Sequence, residues 1–163
     1  MMSEKRKGLI SGVFFGTGSG VITTLGLIVG LFAGTESMAA VMGGILVIAI
    51  SDSMSDAFGM HLAEEARPDS TTRSVWTATV ATFATKFVMA STFVLPLLFL
   101  PLDQAVLACL VWGVIVLTAL SIFIASQQGQ AIVPVVAEHL GIATTVMVLS
   151  WLAGLGVHHW LGV

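Results

Sequence analysis

The chain has 163 residues, 56% of them hydrophobic and only 9% charged, with six Lys and Arg against nine Asp and Glu; its mean hydropathy is +1.02. A water-soluble domain carries roughly 25% charged residues, so the composition excludes an ordinary soluble globule, a disordered chain and a nucleic-acid binder. The single cysteine, Cys109, excludes an internal disulfide and a cysteine-rich metal site.

Five apolar stretches follow one another, each reaching the roughly 20 residues that a membrane-crossing helix needs. The first runs from about Leu9 to Ala33. Its start is basic, but it is too long for a cleaved signal peptide. Gly12, Gly16 and Gly20 recur at four-residue spacing and so share one helical face. Small residues let a second helix approach closely. Packing within the chain and a subunit interface both fit that face, and the interface reading makes the chain a homodimer. The run Gly16-Thr17-Gly18-Ser19-Gly20 lacks the lysine of a phosphate loop and lies inside a span.

The second stretch, Met38 to Leu62, carries Asp52, Met54 and Asp56, with His61 at its end. A short loop, Ala63–Ser74, follows. The third stretch, Val75 to Leu100, has Lys86 near its middle. The fourth runs from Ala105 to Ala125. The fifth, Val133 to Val157, carries Glu138 and His139. These runs are continuous and lack the ten-residue alternation of barrel strands. The expected fold is therefore an all-α membrane protein with five transmembrane helices in one domain, 1–163.

Orientation follows from the basic residues. Lys5, Arg6 and Lys7 precede the first span, and Arg67 and Arg73 lie between the second and third. The two opposite loops and the C-terminal tail hold no Lys or Arg. The positive-inside rule then predicts a cytoplasmic N-terminus and a C-terminus on the far side. The bilayer is the expected partner, the plasma (inner) membrane if the source is prokaryotic.

An ionised group inside the membrane costs at least ~2.5–3.5 kcal/mol. Asp52, Asp56, Lys86 and Glu138 lie well inside the spans and are the candidate cation and proton pathway. Counting about 1.5 Å of rise per residue puts Asp52 and Lys86 at one depth, near the midplane, as an ion pair. Asp56 lies one turn nearer the cytoplasm, and Glu138 at about that level. Neither has a basic partner inside the spans, so both must share protons, bind a cation or face water. This predicts a cytoplasm-facing polar cavity lined by Asp52, Asp56 and Glu138, with Met54 or His139 at its edge. Met54, Asp56, Glu138 and His139 offer the mixed donors of a transition-metal site. No nucleophile–base pair or dinuclear ligand set is recognisable, so neither an enzyme nor a tightly bound cofactor is expected.

The stretch from Gly16 to Gly30, with Val21-Ile22-Thr23-Thr24-Leu25-Gly26-Leu27 at its centre, resembles the opening helix of the vacuolar iron transporter family. Ser53 to Met60 resembles part of its second helix, with Met54 matching the family methionine. Val94 to Pro101 resembles the end of its third helix. Pro134, Glu138, Gly141 and Gly154 follow its last one. The resemblance covers nearly the whole chain. It implies a homodimer that exports Fe2+ or Mn2+ from the cytosol in exchange for protons, along a path between the subunits lined by spans one and two, with Met54 facing the metal. The departures are specific. The family's first-span aspartate falls on Ser19, and its early second-span glutamate near Leu46. The acids stand instead at Asp52 and Asp56, and Lys86 is additional. The family's cytoplasmic metal-binding domain is replaced by the short Ala63–Ser74 loop, as in the nodulin-like branch. The residues themselves leave two other readings open: a monovalent cation/proton antiporter using Asp52, Asp56 and Lys86, and a non-transporting scaffold of the same fold.

Overall fold

The computed structural model describes residues 4–162; the ends of the expected 1–163 domain, residues 1–3 and 163, lie outside the described residues. Among the described residues the protein is all-α, with α1 (Glu4–Thr35), α2 (Met38–Glu65), α3 (Thr72–Thr92), α4 (Val94–Phe99), α5 (Leu102–Gln128) and α6 (Ile132–Leu161). Five segments of 27 to 30 residues are long and apolar enough to cross a membrane: Arg6–Thr35, Met38–Glu65, Thr72–Phe99, Leu102–Gln128 and Ile132–Leu161. At about 1.5 Å per residue they exceed the ~30 Å hydrocarbon core. The chain is an integral membrane protein of five apolar helices.

Local chemistry sets the helix ends. Ser37 caps α2, its Oγ accepting the Ala40 N–H at 3.3 Å. Thr71 Oγ1 accepts the Ser74 N–H at 3.1 Å, while Ser74 Oγ accepts the Thr71 N–H at 3.0 Å. This is a reciprocal capping box with Ser in the usual Glu position. Gly129 ends α5 in the left-handed region, φ 66°, where a side chain would be strained. Residues 66–71 join α2 to α3, a shorter link than the expected 63–74 loop. Arg67 binds Glu64 at 3.3 Å and Asp69 at 3.4 Å, and its hydrogen bond holds the Asp69 carboxyl below the usual carboxylate range.

The third span is not one continuous helix. Pro96 has no N–H for the carbonyl four residues back, and its ring crowds that carbonyl. So α3 ends at Thr92, Phe93 flanks the break, and α4 restarts at Val94. Pro96 then falls in the first turn of α4, where a missing donor costs nothing.

The chain divides into two compact units. The first takes the chain up to Gly20 together with Leu46–Thr92. Here α1 lies against α3 along Gly8, Gly12, Gly16 and Gly20. A Cβ on Gly12 would stand 2.5 Å from Ala78 O and 2.8 Å from the Ala81 Cβ, and one on Gly16 2.8 Å from Thr82 O. The Gly12/Gly16/Gly20 face, a candidate dimer interface in the sequence, is thus occupied inside the chain: α3 supplies the close partner. The second unit takes Val21–Ile45 and the chain from Phe93 onward. Gly26, Gly30 and Gly34 there meet α6 at Val146, Ser150 and Gly154. Its core is built from Leu25, Ile28, Val41, Ile45, Phe93 and Leu117, all buried.

Candidate functional site

The charged residues of the first unit converge on one point. Asp52 and Asp56 stand four apart on α2 and share a face. Lys86 comes from α3. Close approach of α1 is possible here because Gly16 and Gly20 leave room for the Lys86 backbone and stem; a Cβ on Gly20 would lie 3.3 Å from Lys86 Cγ. That approach carries Ser19 to the end of the lysine. Lys86 Nζ donates to Ser19 Oγ at 2.9 Å, and Ser19 Oγ donates to Asp56 Oδ2 at 2.6 Å. Nζ also donates to Asp56 Oδ2 and pairs with Asp52 Oδ2 at 2.5 Å. The Asp52 contact is an ion pair without directed hydrogen-bond geometry.

The lysine side chain is 1% exposed, against 31% for Asp52 and 22% for Asp56. The cluster is therefore sealed on the α3 side and reachable through its carboxylates. All of it lies mid-span: Asp52 follows Met38 by 14 residues and Lys86 follows Thr72 by 14, each in a 28-residue segment. Two carboxylates and one ammonium sum to a charge of −1 when ionised. Attraction between such groups is strong in a low dielectric, but so is the cost of removing them from water.

Sequence reasoning placed Asp52 with Lys86, and the ion pair is present. It left Asp56 without a basic partner, and this is corrected: Asp56 is bound by both Lys86 and Ser19. The reason is reach. One helical turn separates the two acids by about 6 Å, and the flexible four-carbon stem of Lys86 brings its head between them. Ser19 itself was missed as a site residue. Its signal was available in its place beside Gly20 near mid-span.

The other candidates lie elsewhere. Glu138 is exposed on α6 in the second unit and makes no hydrogen bond or ion pair among the described residues. His139, beside it, places Nδ1 2.8 Å from the buried Ser121 Oγ. That hydroxyl donates to Leu117 O at 2.6 Å, so it accepts from an Nδ1–H. His61 in the first unit repeats the pattern: Nδ1 is 3.0 Å from Thr79 Oγ1, which donates to Val75 O at 2.8 Å. Trp76 meets the His61 ring edge-on at 4.9 Å. Met54 is exposed and lines an apolar cavity of about 390 Å3 with Phe58, His61, Val80 and Phe83. None of the acids lines that cavity, in contrast to the acid-lined one expected at Met54. Met54 and Asp56 belong to the first unit, Glu138 and His139 to the second. No group of three or more His, Cys, Asp or Glu is arranged to hold a metal ion among the described residues. Two buried hydroxyls, Ser53 Oγ and Thr82 Oγ1, have no hydrogen-bond partner among the described residues; one adjoins Asp52 in sequence and the other lies one turn before Lys86.

No protein-family model matches the chain, and neither a curated protein nor a solved structure does.

Proposed function

We propose that the chain is a proton-coupled cation transporter that works through Ser19, Asp52, Asp56 and Lys86. One observation carries this reading: a lysine 1% exposed, in the middle of an apolar span, held between two carboxylates. Ionisable groups at such depth are costly and mark ion and proton paths. A lock between helices needs one acid for one lysine. The second acid leaves a surplus charge of −1, which only a cation or a proton neutralises. Competition of the two for one surplus charge is the linkage that exchange requires.

The resemblance to the vacuolar iron transporters makes Fe2+ or Mn2+, exported from the cytosol, the first cargo to test. It also supports a homodimer with a cytoplasmic N-terminus, in the plasma (inner) membrane of a prokaryote. A second reading, monovalent cation/proton antiport, is favoured by Lys86 itself. Its fixed charge leaves room for one further positive charge rather than two. In both readings the protein has no catalytic residue and no tightly bound cofactor.

The test is flux in proteoliposomes holding a pH-sensitive dye, with Fe2+, Mn2+, Na+ and K+ applied in turn. At least one cation should drive proton movement, and Asp56→Asn should reduce it tenfold or more. Flux within twofold of wild type in Asp56→Asn refutes the site. Silence of the wild type with every cation leaves the scaffold reading.

A further inference from the structure

Three oxygens surround the Lys86 head: Ser19 Oγ from α1, and Asp52 Oδ2 and Asp56 Oδ2 from α2. Two belong to carboxyl groups. The third is a hydroxyl whose own proton is committed to Asp56, so it is left facing Nζ as an acceptor. Softer donors stay out of the cluster: His61 is engaged with Thr79, and Met54 lines an apolar cavity. The cradle is thus made of acceptors only, and its occupant is an ammonium head that donates to Ser19 Oγ and Asp56 Oδ2 and pairs by charge with Asp52 Oδ2.

We infer that Ser19, Asp52 and Asp56 form a binding site for primary ammonium ions, in which Lys86 sits as a tethered occupant. A small alkylammonium ion, or ammonium itself, has the charge and the N–H donors the cradle already serves. Exchanging one such head for another leaves the charge of the site unchanged. A divalent ion adds one unit of charge even when the lysine leaves or loses its proton, and two when the lysine stays. The routes in are also distinct. Lys86 arrives from its sealed position on α3, whereas a free cation reaches the partly exposed carboxylates directly. The transport consequence rests on the transporter reading above: small primary amines or ammonium are then the substrate class, and Lys86 reoccupies the cradle whenever the free ion leaves.

Truncation gives the test. Lys86→Ala removes Cγ, Cδ, Cε and Nζ, the heavy atoms of n-propylammonium. Millimolar n-propylammonium should raise the melting temperature of purified Lys86→Ala protein by several degrees, saturably, as binding to the native state must. Tetramethylammonium, equally charged but without N–H donors, should not. Equal shifts with both salts, or none with n-propylammonium, overturn the proposal. The additional change Asp56→Asn should abolish the selective shift, and its persistence would place the amine elsewhere. If Lys86→Ala is not recovered without added salt, recovery with n-propylammonium alone supports the site, and recovery with both salts or with neither overturns it. Wild-type proteoliposomes, compared with Asp56→Asn, report methylammonium flux separately. Selective rescue with no flux of methylammonium or of any metal ion keeps the ammonium site and removes the transporter reading.

Discussion

Glycine recurs every fourth residue along both halves of α1, as Gly8, Gly12, Gly16 and Gly20 in the first unit and as Gly26, Gly30 and Gly34 in the second. Both stripes bring a neighbouring helix to backbone contact, α3 in one case and α6 in the other. What meets at the contact differs. The first stripe delivers Ser19 to a buried lysine that already holds two acids. The second meets Ser150 and Gly154 amid aliphatic side chains. The second unit does hold a part-buried polar pair, Ser121 with His139, but the hydroxyl and the Nδ1 hydrogen in it each find an acceptor. Close packing by small residues is therefore a shared device. The mid-span ionic cluster, one lysine against two acids, belongs to the first unit.

The largest effect that separates the units should come from Lys86→Met. It leaves two carboxylates without their cation, a change that typically costs about 3–5 kcal/mol, with the lower end expected here because both acids are partly exposed. Unfolding in detergent micelles measures it. Adding Asp52→Asn and Asp56→Asn to Lys86→Met should recover part of the loss. Equal losses in the single and triple variants would mean that charge does not govern the site.

Glycine contacts should give the next largest effect. Gly154→Ala drives a methyl group toward the Gly30 carbonyl and within 3.1 Å of Gly34 N, and overpacking of this kind costs about 1–3 kcal/mol. Gly43→Ala and Gly141→Ala, where a Cβ meets nothing within 4 Å, should be neutral or stabilising by up to about 1 kcal/mol. Melting temperatures that fail to separate these sites would break the packing comparison.

The smallest effect should come from Ser121→Ala, which removes the acceptor of the His139 ring hydrogen, at about 1 kcal/mol. Cation-driven proton flux should stay within twofold of wild type. A fall as deep as that of Asp56→Asn would give the second unit a share in ion handling.

Sequence period and composition were enough to locate five spans, because continuous apolar runs bounded by Gly, Pro and charged residues leave few alternatives. The helix break at Phe93 could have been read from Pro96, but hydropathy averages over one residue and hides it. At the site, rise per residue gave the depth of Asp52 and Lys86. Depth is only one coordinate. It does not tell which acids a long side chain reaches, so Asp56 was left unpaired. Nor does it tell which helix occupies a glycine face, so Gly12, Gly16 and Gly20 admitted a second subunit where α3 of the same chain lies. Ser19 was not counted among the site residues because a hydroxyl carries no formal charge to mark it as costly inside a span.

The Lys86 cluster also constrains how the protein enters the bilayer. During synthesis α2 emerges with two acids, each unfavourable by ~2.5–3.5 kcal/mol at the centre of an inserting helix. Their cation follows 30 residues after Asp56, a delay of about 1.5–6 s at 5–20 residues per second. Each of α2 and α3 carries its own charge cost, so the two should leave the insertion channel as a hairpin in which Lys86 offsets one of the two acids.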